Sequence, residues 1–137
     1  MLHLGSMKLF KRAFIAIGLV LVLHVILLLT DGYAIDQIDT PMHFLGGFVM
    51  ALLGLAIHQN VAGKYHAKHS PLWYRYTFVV GFAMLIGVAW EFHEYVFDQT
   101  ISVWYDLQRA QHSLADTMKD FLLDWLGASV AFFWFKK

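Results

Sequence analysis

The sequence predicts an all-α, polytopic membrane protein: a four-transmembrane-helix bundle with both termini cytoplasmic. Three observations carry that reading. Apolar residues are abundant, they gather in four runs bounded by helix start signals, and most basic residues sit in alternate connections. Of the 137 residues, 59% are hydrophobic and 15% charged, with a mean hydropathy of +0.56. Soluble domains average about 45–50% apolar and about 25% charged, so the composition belongs to the membrane class. Formal net charge is +0, and without a basic field no nucleic-acid partner is expected. Cysteine is absent, which excludes disulfides and thiolate metal sites. The length fits one domain, 7–137.

Taken in order, the first helix is expected over about 9–30, because residues 13–29 are apolar apart from Gly18 and His24. Ahead of it, Gly5-Ser6 before a second Met7 resembles a cloning remnant, so residues 1–6 are read as added to a chain starting at Met7. Gly32-Tyr33-Ala34 would also suit a signal peptidase, although the apolar stretch is long for a signal peptide. The second helix, about 41–61, opens at Thr40-Pro41, an N-cap followed by proline at the first helical position. Ser70-Pro71 opens the third, 72–97, in the same way. Ser113, with Asp116 three residues later, is a capping-box variant for the fourth, 113–135. The last three apolar runs are shorter than the roughly 20 residues a crossing needs. Their flanking ionisable residues must complete it, which brings several acids to membrane depth.

Orientation follows from the bases. Lys8, Lys11 and Arg12 precede the first helix, Lys64, Lys68 and Arg75 separate the second and third, and Lys136-Lys137 close the chain. Alternating helices put all of these on one side, giving an N-in/C-in protein of a bacterial inner membrane. Tyr33, Tyr95, Trp104 and Tyr105 would form the outer aromatic belt. Residues 98–112 read as a short amphipathic surface helix or a lid, with Ile101, Trp104 and Leu107 toward lipid.

The acids have the opposite distribution. All 10 Asp and Glu fall in the two outer loops or the outer halves of helices. Side chains three and four residues apart share a helical face. Glu91, Glu94 and Asp98 thus continue a stripe begun by Ala83 and Gly87. Asp116, Asp120 and Asp124 continue into Gly127 and Ala131, and His43 into Gly46, Gly47, Met50 and Gly54. Small residues mark close helix approach in membranes, so the acids are expected to face the bundle interior. Carboxylates gathered there cannot all stay ionised without sharing protons or holding a cation. His43, Glu91, Glu94, Asp116 and Asp120 are therefore the expected ligands of a divalent metal ion, with Asp39, Asp124 and His93 as further candidates. Oxygen donors with one imidazole suit Mg, Mn, Ca, Zn or Fe. Glu91-x-x-Glu94 is not the Glu-x-x-His of di-iron bundles. Plainer roles also fit some positions: a helix cap for Asp116, a solvated loop acid for Asp36, a structural part for His24, and loop histidines for His58, His66 and His69.

The blocks "DTPMHFLGGF", "GVAWEFHEY" and "SLADTMKDFLLDWLGA" resemble the three motifs of the YjdF-like bacterial inner-membrane family. More distantly they are similar to VanZ-like proteins, associated with glycopeptide resistance. The resemblance spans the last three helices and rests on Asp39 and His43, Glu91 and Glu94, and Asp116 and Asp120 with Gly127-Ala128. YjdF-like proteins usually carry additional spans, and the resemblance implies a fold rather than a reaction. Three functions are open. One is a metal-dependent hydrolase acting on a lipid or lipid-linked substrate, a metal-bound water replacing the absent Ser or Cys nucleophile. The others are a cation or proton transporter with Asp124 as its deep relay, and a structural, partner-binding or oligomeric protein stapled by its metal.

Overall fold

The computed structural model describes residues 4–35, 37–64, 70–105, 109–110 and 113–136. The expectations placed on Asp36, His66, Lys68, His69, Leu107 and Lys137 lie outside these residues.

Every described element is helical. α1 spans Leu4–Leu29, α2 Asp39–Lys64 and α3 Leu72–Phe97. After α3 the chain continues through a π-helical turn, Asp98–Ser102, into a single turn, α4, Val103–Tyr105. α5 spans Leu114–Phe135. Three stretches are long and apolar enough to cross a membrane by length and composition: Met7–Leu29, Asp39–Lys64 and Leu72–Tyr105. The first half of α5 carries Asp116, Lys119, Asp120 and Asp124, and α5 does not meet that measure.

Helix ends follow the start signals with small displacements. α2 begins at Asp39, so Thr40 is already helical. Its hydroxyl reaches back 3.5 Å to Gln37 Oε1 instead of capping. Pro41 stays in the first turn, where no amide proton is needed. α3 begins at Leu72, with Pro71 as its N-cap and no side-chain cap. At α5 the expected cap forms, Ser113 Oγ accepting from the Asp116 amide at 3.2 Å. The stretch read as a short amphipathic surface helix or a lid, 98–112, folds on itself around Asp98 where it is described. Asp98, 4% exposed, accepts from Ser102 at 3.2 Å and from the Ala110 amide at 2.8 Å. Trp104 and Tyr105 remain exposed.

The core belongs to α2, α3 and α5. Ala51, Leu52 and Leu55 meet Val79, Val80 and Ala83 on one side and Ala128, Ala131 and Phe132 on the other. α2 and α5 touch through their backbones. A Cβ on Gly47 would lie 2.7 Å from Asp124 Cα, and one on Gly127 2.9 Å from the Phe44 carbonyl carbon. Only hydrogen fits at either position, as expected of small residues where membrane helices pack closely. Tyr76 ties α3 to α5, sharing a 2.9 Å bond with Ser129 and accepting from Trp125 Nε1 at 3.0 Å. α1 packs along α2, buries only Leu9 and Ala13 fully, and meets α3 very little. A cleft remains between α1 and α3.

Candidate metal centre

Helical phase brings the three stripes to one end of the bundle. In α2 it buries His43 with Gly47 and Gly54, in α3 Glu91 with Ala83 and Gly87, and in α5 Asp120 and Asp124 with Gly127 and Ala131. His43 is the hub. Its Nε2 lies 3.9 Å from Glu91 Oε1 and 3.9 Å from Asp120 Oδ2, while Nδ1 lies 3.6 Å from Asp124 Oδ2. These gaps exceed hydrogen-bond length. All four side chains are under a tenth exposed.

Asp124 is deepest, and glycines make room for it. A Cβ on Gly87 would sit 3.1 Å from the Asp124 carboxyl carbon, and one on Gly46 3.8 Å from Oδ1. Burial of these acids leaves oxygens unsatisfied: Asp120 Oδ1 and Asp124 Oδ2 accept no hydrogen bond among the described residues. A buried acceptor left this way costs about 1–3 kcal/mol, and more when charged. An arrangement carrying two of them calls for a further positive group or a proton.

Two sets of three donors fit one ion each: Asp39, His43 and Asp120, and His43, Glu91 and Glu94. Within each set the donor atoms lie inside 4.8 Å of one another. Metal–oxygen and metal–nitrogen bonds of about 2.0–2.6 Å put two ligands of one ion at most about 4–5 Å apart, so both sets have workable spacing. Both use the same imidazole.

Lys119 distinguishes the two sets. Its Nζ lies 2.7 Å from Asp116 Oδ1, 3.6 Å from Asp39 Oδ2 and 3.9 Å from Asp120 Oδ1. The ammonium already serves the Asp39 side. Asp116, expected among the metal ligands, is turned to Lys119 and stands outside both donor sets. On the other side Glu94 Oε1 accepts from Trp90 Nε1 at 2.7 Å. His93 is exposed and stacks between Trp90 and Phe97, at 5.3 and 6.1 Å between ring centroids. It lies outside both donor sets.

Lys119 is legible in the sequence as the one base near the acids, off their stripe by phase, and its long stem bends back to three of them. Sequence reasoning missed the groups on the cleft side. His24, read as purely structural, shares a 2.6 Å bond with Tyr33 and packs edge-on against Trp90, centroids 5.1 Å apart. Tyr33, between α1 and α2, is pushed up from 10.0 to about 12 by burial first, then by the Glu94 and Asp39 carboxylates. It keeps its proton and can donate to His24 Nδ1. His24, Tyr33 and Trp90 line the same cleft as Glu94, His43 and Asp124. A lone histidine and a loop tyrosine give no sequence signal for this, because their meeting depends on where α1 leans.

A family model described as "Predicted membrane protein (DUF2238)" matches residues 2–137. No curated protein and no solved structure matches the chain.

Proposed function

We propose that this chain, which belongs to the DUF2238 family of predicted membrane proteins, binds one divalent cation through His43, Glu91 and Glu94 and uses it in hydrolysis at a lipid interface. Asp120 is the adjoining fourth donor. The observation that carries the reading is the division of charge around His43. Lys119 pairs with the Asp39 and Asp116 side and reaches only one oxygen of Asp120, while His43, Glu91 and Glu94 lie within 4.8 Å of one another as a second donor set. His43 would bind through Nε2, with Asp124 facing Nδ1 at 3.6 Å. Closing that gap to hydrogen-bond length would make the carboxylate–histidine arrangement that fixes a ligand's tautomer and raises its basicity. Asp124 is then an orienting group rather than a ligand.

Carboxylates with one imidazole suit Mg, Mn, Ca, Zn or Fe. Such an ion lowers the pKa of a bound water and polarises a carbonyl or phosphoryl oxygen. The chain's own contribution is a site walled by apolar helices, which strengthens each charge interaction inside it. The fourth crossing by α5, and the assignment of the acidic end to the outer face of a bacterial inner membrane, belong to this proposal. So does the more distant VanZ-like kinship.

Elemental analysis of protein purified in detergent tests the site. About one equivalent of metal is expected in the wild type and a clear loss in both Glu91→Gln and Asp120→Asn. A wild-type protein free of stoichiometric metal after incubation with each of the five ions would overturn it. Hydrolysis of lipid-linked phosphoesters that persists in chelator would reduce the metal to a staple. Transport is disfavoured by the packing inward of Asp124, where Leu52, Leu55, Val79 and Phe132 close the bundle with apolar atoms.

A further inference from the structure

The cleft between α1 and α3 is a groove open to the surroundings along part of its length and has two different ends. Deep in the helices its walls are Ile17, Val20 and Leu21 of α1 and Ala83 and Ile86 of α3, over Met50 of α2. Leu21 is 49% exposed, so the cleft reaches the lateral surface of the bundle, where α1 and α3 scarcely touch. Near the acidic end the lining turns polar. Tyr33 is bonded to His24, His24 packs on Trp90, and Trp90 donates to Glu94. The strap thus joins α1 to α3 and ends on a carboxylate of the proposed metal set. His43 and Asp124 form the adjoining wall.

We infer that this cleft holds one acyl chain of a zwitterionic membrane phospholipid, with the headgroup at the His24–Tyr33–Glu94 rim. The inference rests on the reading above for the chemistry that follows binding, but not for the binding. Three observations identify the occupant. Both walls belong to apolar stretches long enough to cross a bilayer, so lipid is the medium at the lateral opening. From Glu94 to Ala83 is eleven residues, which at about 1.5 Å each makes roughly 16 Å of helix. That is about half of a ~30 Å hydrocarbon core, the depth of a single leaflet. The rim carries Glu94 and, paired with Lys119, Asp39; in metal-free protein the Glu94 carboxylate disfavours an anionic headgroup and favours one bearing an ammonium. A chain seated there would bring its ester and phosphate groups beside His43 and Glu94 at the end of the cleft.

Native mass spectrometry of the protein released from detergent, after adding palmitoyl-oleoyl phosphatidylethanolamine, tests this. One retained lipid per chain is expected. Val20→Trp combined with Ile86→Trp should lower the retained fraction at least tenfold, about 1.4 kcal/mol or more of binding free energy. Val22→Trp, at a position 58% exposed and outside the cleft, should leave it unchanged. Val20→Trp alone, on the wall next to the lateral opening, decides the matter if the double variant does not fold. No retained lipid on the wild type overturns the proposal. So does retention unchanged by the cleft variants, equal retention of phosphatidylglycerol, or a second copy of the chain occupying the cleft. Metal content measured on the same samples keeps the two readings apart. Lipid retained without metal removes only the metal centre, and metal retained without lipid removes only the cleft.

Discussion

Gly47→Ala is the sharpest perturbation of the frame that holds the site. The added methyl would lie 2.7 Å from Asp124 Cα and closer still to its carbonyl oxygen. Both are backbone atoms of α5 and cannot rotate away. Either α2 and α5 separate or the backbone distorts, and overpacking of this kind costs about 1–3 kcal/mol, occasionally more. Because the clash is with backbone, the upper figure of about 3 applies. Alanine returns about 1 kcal/mol of helix propensity over glycine. The net loss is therefore about 2 kcal/mol, which for a chain of this size lowers Tm by roughly 8 °C. Gly18→Ala is the matched control. Nothing lies within 4 Å of its added Cβ, so only the propensity gain remains and Tm should hold or rise slightly. Thermal unfolding of both variants in the same detergent, followed by circular dichroism, gives the comparison. A Gly47→Ala protein as stable as wild type would refute the direct backbone contact between α2 and α5, and with it the placement of His43 beside Asp124.

Lys119→Met should destabilise metal-free protein by about 1–3 kcal/mol, since Asp39, Asp116 and Asp120 lose their ammonium; added Mn²⁺ should restore Tm more than it raises the wild type's. Asp116→Asn and His93→Ala should each keep metal stoichiometry, Asp116 being turned to Lys119 and His93 exposed; loss of metal in either would redraw the ligand set. Free metal at about a hundred times Kd should stabilise by about 2.7 kcal/mol, seen as a fall in Tm when chelator is added. Tyr33 is held up to about 12 in the folded chain against 10.0, so the unfolded chain loses this proton first as pH rises. Its contribution should be intact below pH 10 and lost from there to about pH 12, and Tyr33→Phe should remove that alkaline loss in a pH-dependent melt.

Much of this architecture is legible from one-dimensional pattern. Burial follows the stripes because a 3.6-residue period determines which side chains share a face, and Glu91, Asp120 and His43 each lie on the small-residue face of their helix. The Ser113 cap is a local device read from two residues. The third helix starts at Leu72 as read, while the second starts at Asp39 instead of 41 because capping depends on loop geometry, including Gln37 at a φ of 63°. The turn after α3 was legible only as helix or lid, because the bonds that shape it run from Asp98 to Ser102 and on to Ala110, twelve residues away.

Local spacing alone determined that acids and a histidine would face inward at one end of a helical membrane protein, since periodicity and the cost of burying charge act within each segment. Which acids share a base, which gather around His43, and whether α1 closes on α3 were decided only by tertiary structure. Those outcomes depend on distances between helices, on the reach of one lysine stem, and on two glycines that let α2 and α5 meet at the backbone.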